Sequence, residues 1–495
     1  MDFSYFIEGL SALLTPGNLM FLFIGAFLGT VVGMLPGLGP ATGVAVLIPV
    51  TFGMDPVSAM ILLIAIYYGA MFGGSRSSIL INTPGDASAI AATFDGYPMA
   101  QKGQAGQALA IATIASLIGG TIAVFGFIFL AGPLAEFAIR FGPAEYFLLM
   151  LFTLSAIVSL ARGDMLKGLI SMLFGLLLST VGVDAQSGVY RFTMDMPQLA
   201  EGIEFLIVII GIYAVGEVLY NFISINKTTK KDAQVKGKWF TSAQWKRSRM
   251  PILRSAPLGF IIGVLPGAGG SIASMLGYTT ERQLSKHPEE FGKGAVEGLA
   301  APESANNSAA VGALIPLLSM GIPGSGTTAV LLGALVMLGI QPGPLLFESE
   351  PATIWTLINS MFLGNIFLVI INVLMVGVLV KILDTPSKVL YPLILMLGFI
   401  GAYTLSYSVI DFYILLIFGI LGLLFKLLKF PVAPLILALI VGHSMEQNFR
   451  KSLILSDGSP GIFVGSPIAI VLVIMVILSL AAPFLIKYFT RHKTA

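Results

Sequence analysis

The chain has 495 residues, 56% of them hydrophobic and 11% charged, with 27 Lys and Arg against 25 Asp and Glu and a mean hydropathy of +0.93. A soluble chain carries about 25% charged residues, so composition excludes an ordinary soluble protein, and no nucleic-acid partner is expected. No cysteine is present, which excludes disulfides, thiolate metal sites and a Cys nucleophile.

A spanning helix needs about 20 mainly apolar residues. Residues 111–130, 205–222, 362–380 and 462–485 are such runs. By that criterion about eleven or twelve transmembrane segments are predicted, two or more of them interrupted. The expected fold is an all-α polytopic membrane protein. The first Lys or Arg is Arg76, so the basic region of a cleavable signal peptide is missing.

In chain order, the first informative element is a glycine–proline phrase. Residues 28–39 read LGTVVGMLPGLG, and residues 258–269 read LGFIIGVLPGAG, identical at seven of twelve positions. Each is followed by a second break, TPG at 83–85 and IPG at 322–324. Gly and Pro are costly inside a helix. At membrane depth, irregular backbone survives only where protein buries it or water lines it. Paired interruptions in two halves point to a transporter's binding site.

Residues 18–130 are predicted to form the first repeat core, a re-entrant hairpin facing a broken helix. Its polar patch holds Ser75, Arg76 and Ser77, followed by Asn82, Thr83, Pro84, Gly85 and Asp86. Residues 131–225 read as scaffold spans. Residues 226–254 carry nine basic side chains and one acid, Asp232. By the positive-inside rule this loop is cytoplasmic, with anionic lipid as a secondary partner. The tail, with Lys487, Arg491 and Lys493, reads as cytoplasmic too. The N-terminus lacks basic residues and is placed outside, which makes the two repeats inverted.

Residues 255–345 are the second repeat core. Its patch holds Glu303, Ser304, Asn306, Asn307 and Ser308, then Pro323, Gly324, Ser325, Gly326, Thr327 and Thr328. Residues 346–495 read as further scaffold spans and the tail. The cores are rich in small residues, which suit close packing or a cavity. Bulky aliphatic residues dominate elsewhere and suit lipid contact.

Helix N-termini after each break offer free N–H groups and positive dipole ends, which attract carboxylates and phosphates. Ser75, Arg76, Ser77, Thr83, Pro84, Gly85 and Asp86, with 323–328, are therefore read as the substrate site. Carbonyl, Asn and Ser oxygens suit a hard cation such as Na⁺. Gly37, Gly39, Asn82, Gly267, Gly269, Glu303, Ser304, Asn306, Asn307 and Ser308 are read as the cation site. The alternatives are structural. The four glycines permit helix crossing, Asn306 and Asn307 serve as interhelical glue, and Arg76 pairs with Asp86 or Asp95. Glu303 carries a proton, ligates the cation or caps the segment after it. His443 and Glu446 are placed at the interface.

GIPGSGTT at 321–328 resembles a P-loop, but Thr327 stands where the phosphate-binding Lys belongs. ATP hydrolysis is not expected, and no organic cofactor or metal beyond a possible Na⁺ is predicted.

GMLPGLGPATGVAVLIPVTF, YYGAMFGGSRSSILINTPGDASAIAATFDGYPMAQKG, GVLPGAGGSIAS and PESANNSAAVGALIPLLSMGIPGSGTTAVLLGAL closely resemble the large membrane subunit of tripartite tricarboxylate transporters, TctA. The resemblance implies a bacterial or archaeal cytoplasmic (inner) membrane. It implies a small four-span membrane subunit and an extracytoplasmic solute-binding protein as partners. It also implies secondary uptake of tricarboxylates or related carboxylates driven by Na⁺ or H⁺. Related transporter folds imply elevator-like movement of a transport unit past a scaffold. The competing readings are a carboxylate channel, which needs a continuous polar file, and an intramembrane enzyme, for which no catalytic dyad is visible.

Overall fold

Apolar sequence punctuated by Gly and Pro folds into helices of very unequal length. The structure is a computed structural model that describes residues 4–35, 38–160, 165–184, 186–223, 240–383, 387–406 and 408–493. Among the described residues the only strands are Gly182–Val183 and Tyr190–Arg191, paired antiparallel. All else that is regular is helical, and there is no sheet core.

Six helical stretches are long and apolar enough to cross a membrane: Pro16–Met34, Pro56–Ile81, Ala87–Ala138, Phe205–Ile223, Pro351–Leu374 and Ile410–Leu427. Shorter apolar helices such as Met165–Ser179 and Gly326–Met337 accompany them. Among the described residues other helices are as long, including Ser242–Val264, Val432–Leu455 and Pro467–Lys493, as expected of an all-α polytopic membrane protein. Ala87–Ala138 is interrupted at Gly103, with φ 76°.

The duplicated phrase builds the same local structure twice. In the first half, the Pro16–Met34 helix stops before the Pro36 break and the Gly39–Leu47 helix follows it. A Cβ on Gly43 would lie 2.8 Å from Val32 Cγ1, so the second arm folds back on the first. In the second half the arms are Ser242–Val264 and Gly269–Leu284. Arg254 and Glu281, paired at 2.5 Å, tie these arms together.

Each hairpin lies along a long helix with backbone against backbone. Gly25, Gly29 and Gly33 face Pro56–Ile81, where an added Cβ would sit 2.5, 2.2 and 2.1 Å from the carbonyl oxygens of Leu62, Ile66 and Ala70. Gly259 and Gly263 face Val296–Gly312, with Ala305 and Ala309 carbonyls at 2.2 and 2.3 Å. Such small-residue seams allow the closest helix approach. In both pairs the residue numbers rise together, so hairpin arm and long helix run parallel. Pro56–Ile81 starts at Asp55, whose side chain accepts from Val57 and Ser58 N–H. It ends at Asn82 in the left-handed conformation, φ 55°.

The basic segment expected as a loop over 226–254 is partly helix. Thr241 and Gln244 form a reciprocal capping box, which starts the Ser242 helix. Lys246, Arg247, Arg249 and Arg254 are therefore helical, and residues 226–239 lie outside the described residues. Arg247 bonds Glu290 at 2.5 Å and Glu297 at 2.7 Å. The Ala105–Ala138 helix likewise runs through the boundary drawn at residue 130.

Candidate functional site

Both pairs of breaks converge. After the first long helix, Gly85 packs so closely on the first hairpin that a Cβ would lie 1.9 Å from the Gly33 carbonyl oxygen. After the second, Gly324 lies against the Gly263 carbonyl, 3.0 Å by the same measure, and accepts a 3.0 Å hydrogen bond from Gly267 N–H. Beyond these contacts Asp86 Cβ is 3.2 Å from the Cβ position of Gly39, and Ser325 Cβ is 3.5 Å from that of Gly269. Gly39, Gly267 and Gly269 have φ of 45°, 84° and 60°, where glycine carries no steric penalty.

Between the four tips lies a cavity of about 610 Å³, within the range of small-molecule sites. Gly39, Pro84, Gly85, Asp86, Gly267, Gly269, Ser325, Gly326 and Thr327 line it, nine of the residues expected from sequence. Ile157, Tyr213, Glu217 and residues 431–434 form the opposite wall. A Cβ on Gly267 would come within 2.9 Å of the Ile157 backbone, so the second tip touches that wall directly.

The cavity's charge pattern is unusual for an anion site. Among the described residues its charged lining residues are Asp86 and Glu217, with no Lys, Arg or His. Glu217 is ion-paired with Lys426 and accepts from Asn221 Nδ2 at 2.9 Å. Lys426 also lies 4.4 Å from the Tyr220 ring centroid. Asp86 accepts from Ser88 Oγ at 2.8 Å. Positive character comes from backbone instead. The Gly39–Leu47 and Gly269–Leu284 helices begin at the cavity with no side-chain cap. The Gly326–Met337 helix starts there too, but Ser325 and Thr328 cap it reciprocally.

Other expected residues form a separate buried cluster behind the cavity. Glu303 Oε2 accepts from Ser75 Oγ at 2.6 Å and Ser116 Oγ at 3.2 Å. Asn307 Nδ2 donates to Ser116 Oγ at 2.7 Å and to the Glu303 carbonyl at 3.1 Å. Arg76, 2% exposed, donates to the Phe72 carbonyl and to Thr113 Oγ1, not to Asp86 or Asp95. Asp95 instead accepts from Gly294 and Ala295 N–H, 2.7 Å each. Ser304 and Ser308 bond the carbonyls of Ile252 and Ala256, fastening long helix to hairpin. Ser77 bonds the Gly74 carbonyl. Asn82 and Thr83 end the first long helix, Pro323 is buried, and Gly37 lies outside the described residues. Glu303 sits mid-helix and caps nothing.

The comparisons match this architecture to known proteins. The model for the tripartite tricarboxylate transporter TctA family matches residues 19–437. The chain belongs to the TctA family. It is 43% identical over 461 residues to an uncharacterised 52.8 kDa protein in the TAR-I ttuC′ 3′ region of Agrobacterium vitis, covering 93% of this chain and 92% of the relative. A second relative, in the TAR-II ttuC′ 3′ region of the same organism, is 43% identical over 211 residues, 43% of this chain and 87% of its own. No solved structure matches the chain. This TctA protein is therefore a multi-pass membrane component of a tripartite tricarboxylate transporter.

Sequence reasoning missed Ser88, Gly270 and Tyr67. In the glycine seams Gly33 meets Ala70 and Gly263 meets Ala309, so Tyr67 and Asn306, each three residues earlier, hold matching places in this TctA chain. Tyr67 comes close to Ser325 of the other half. Asn306 lies against Gly270 and near Ser88 of the first half. The repeat carries the signal for this pairing, but only once the seam fixes the register.

Proposed function

We propose that this subunit imports tricarboxylates or related carboxylates by cation-coupled alternating access, with substrate delivered by an extracytoplasmic binding protein. The observation that carries the reading is the cavity lined by two uncapped helix N-termini, one from each half. Free N–H groups and dipole ends bind carboxylates without a basic side chain. The substrate's carboxylates lie against residues 39–42 and 269–272, with Ser325 and Thr327 as hydroxyl partners. A coupling cation, Na⁺ or H⁺, offsets the cavity's own carboxylates. Ser75, Arg76, Glu303 and Asn307 hold the long helices in place rather than touching substrate.

Each hairpin, sealed to its long helix, moves as one transport unit. The wall of Tyr213, Glu217 and residues 431–434 belongs to the scaffold, which supports elevator-like movement. The basic segment and C-terminus face the cytoplasm of a bacterial or archaeal cell, with the chain in its inner membrane beside a small four-span partner.

The test is uptake of radiolabelled citrate and smaller carboxylates into proteoliposomes holding the chain, its membrane partner and the binding protein. Na⁺ and pH gradients are imposed separately. Accumulation above electrochemical equilibrium is expected. Equilibration alone marks a passive pore and overturns the reading.

A further inference from the structure

We infer that Asp86, Ser88 and Asn306 form one monovalent metal-cation site, shared by the two halves at the cavity wall. The inference rests on the cation-coupled reading above and names the site that reading leaves unassigned. Its starting point is a buried side chain with nothing to bond. Asn306 is 1% exposed, and neither its Oδ1 nor its Nδ2 has a hydrogen-bond partner. Leaving a buried amide unpaired costs about 1–3 kcal/mol, so such a group calls for a ligand.

The amide points at the cavity wall. A Cβ placed on Gly270, a lining residue, would lie 2.4 Å from Asn306 Oδ1, 3.4 Å from Ser88 Cβ and 3.5 Å from Met71 Cε. Asn306 from the second half and Ser88 from the first thus flank one point. Ser88 Oγ in turn donates to Asp86 Oδ1 at 2.8 Å. An amide oxygen and a hydroxyl-bearing side chain meet at that point, and a carboxylate lies one hydrogen bond beyond, all hard oxygen donors.

The donor set selects the class of ion. A single carboxylate balances a single positive charge. No group of three or more His, Cys, Asp and Glu comes together among the described residues, so a transition metal finds no matching ligand set. Asp86 lines the cavity, and among the described residues no basic side chain does. A cation at Asp86 turns a wall that repels carboxylates into one that attracts them. Ion and substrate then lie on the same wall, so each favours the other's binding.

The experiment is thermal unfolding of the full chain in lipid nanodiscs, titrated with NaCl, LiCl or KCl against choline chloride at constant ionic strength. Wild type is expected to gain stability saturably with one or more of these ions. Asp86→Asn and Asn306→Ala raise the half-saturating concentration by about tenfold or more, the loss of one charge-assisted ligand. Gly270→Ala moves it the same way without removing a ligand, because its methyl group displaces Asn306 Oδ1. Ser88→Ala gives a smaller shift and keeps the test open if the Asp86 variant does not fold. No saturable ion effect in wild type, or an identical titration in all four variants, overturns the site. Carboxylate accumulation with an unaltered ion titration sinks the site and spares the transport reading. A shifted titration without accumulation does the reverse.

Discussion

Gly85 and Gly324 do the same job at different tolerances. A methyl group on Gly85 would meet the Gly33 carbonyl at 1.9 Å, whereas one on Gly324 would meet Gly263 at 3.0 Å. Backbone cannot yield at the first without parting hairpin from helix. Gly85→Ala is therefore expected to cost about 3 kcal/mol and Gly324→Ala about 1 kcal/mol, the range of overpacking. Thermal unfolding of the purified variants checks this, and equal losses would contradict the geometry. The glycines themselves were legible in the sequence, since Gly and Pro act through local backbone. What each glycine touches was not. Asn306 and Asn307 adjoin in sequence, yet one lies against Gly270 of the cavity wall and the other bonds the buried Ser116 hydroxyl. That choice depends on helix rotation, which twin asparagines leave open.

At the scale of elements, the buried cluster joins three helices distant in sequence. Ser75 of the first long helix and Ser116 of Ala105–Ala138 both donate to Glu303 of the second long helix. Glu303→Leu strands both hydroxyls and is expected to destabilise by about 1–3 kcal/mol per orphaned donor. Glu303→Gln keeps an acceptor and retains most of the stability. Chemical unfolding of the two variants distinguishes them, and equal loss would mean that charge, not hydrogen bonding, holds the cluster. Sequence showed both polar patches but assigned them to ligands, because contacts across more than two hundred residues are set by packing. The helix at Ser242 is a different lesson. Its Thr241–Gln244 capping signal was present in the sequence, and the run of basic charge masked it. Charge reports the side of the membrane, not the backbone's conformation.

For the molecule as a whole, an ionic network fastens the connection over 180–204 to the Val432–Leu455 helix. Asp184 pairs with Arg450 at 2.9 Å and Arg191 with Glu446 at 2.8 Å. Asp184 also accepts from Gln186 and Ser187 N–H. These amides, then Arg450, hold its carboxyl down to about 2, against an opposing push from burial. The folded value is below the unfolded one of about 3.9. Its contribution is thus complete above about pH 4 and is lost as pH falls towards about 2. Protease cleavage within 186–200 is expected to rise across that window, and Asp184→Asn is expected to raise cleavage at neutral pH and flatten the rise. An unchanged profile in the variant would assign the acid response to another group.

The glycine seams have one more consequence, for time rather than energy. Where two backbones touch with no side chain between them, water has no path to the amides on that side. Deuterium would enter those amides last, and only when hairpin and helix part. Because the two halves carry separate seams, the order in which their amides exchange would report whether the halves open one at a time or together.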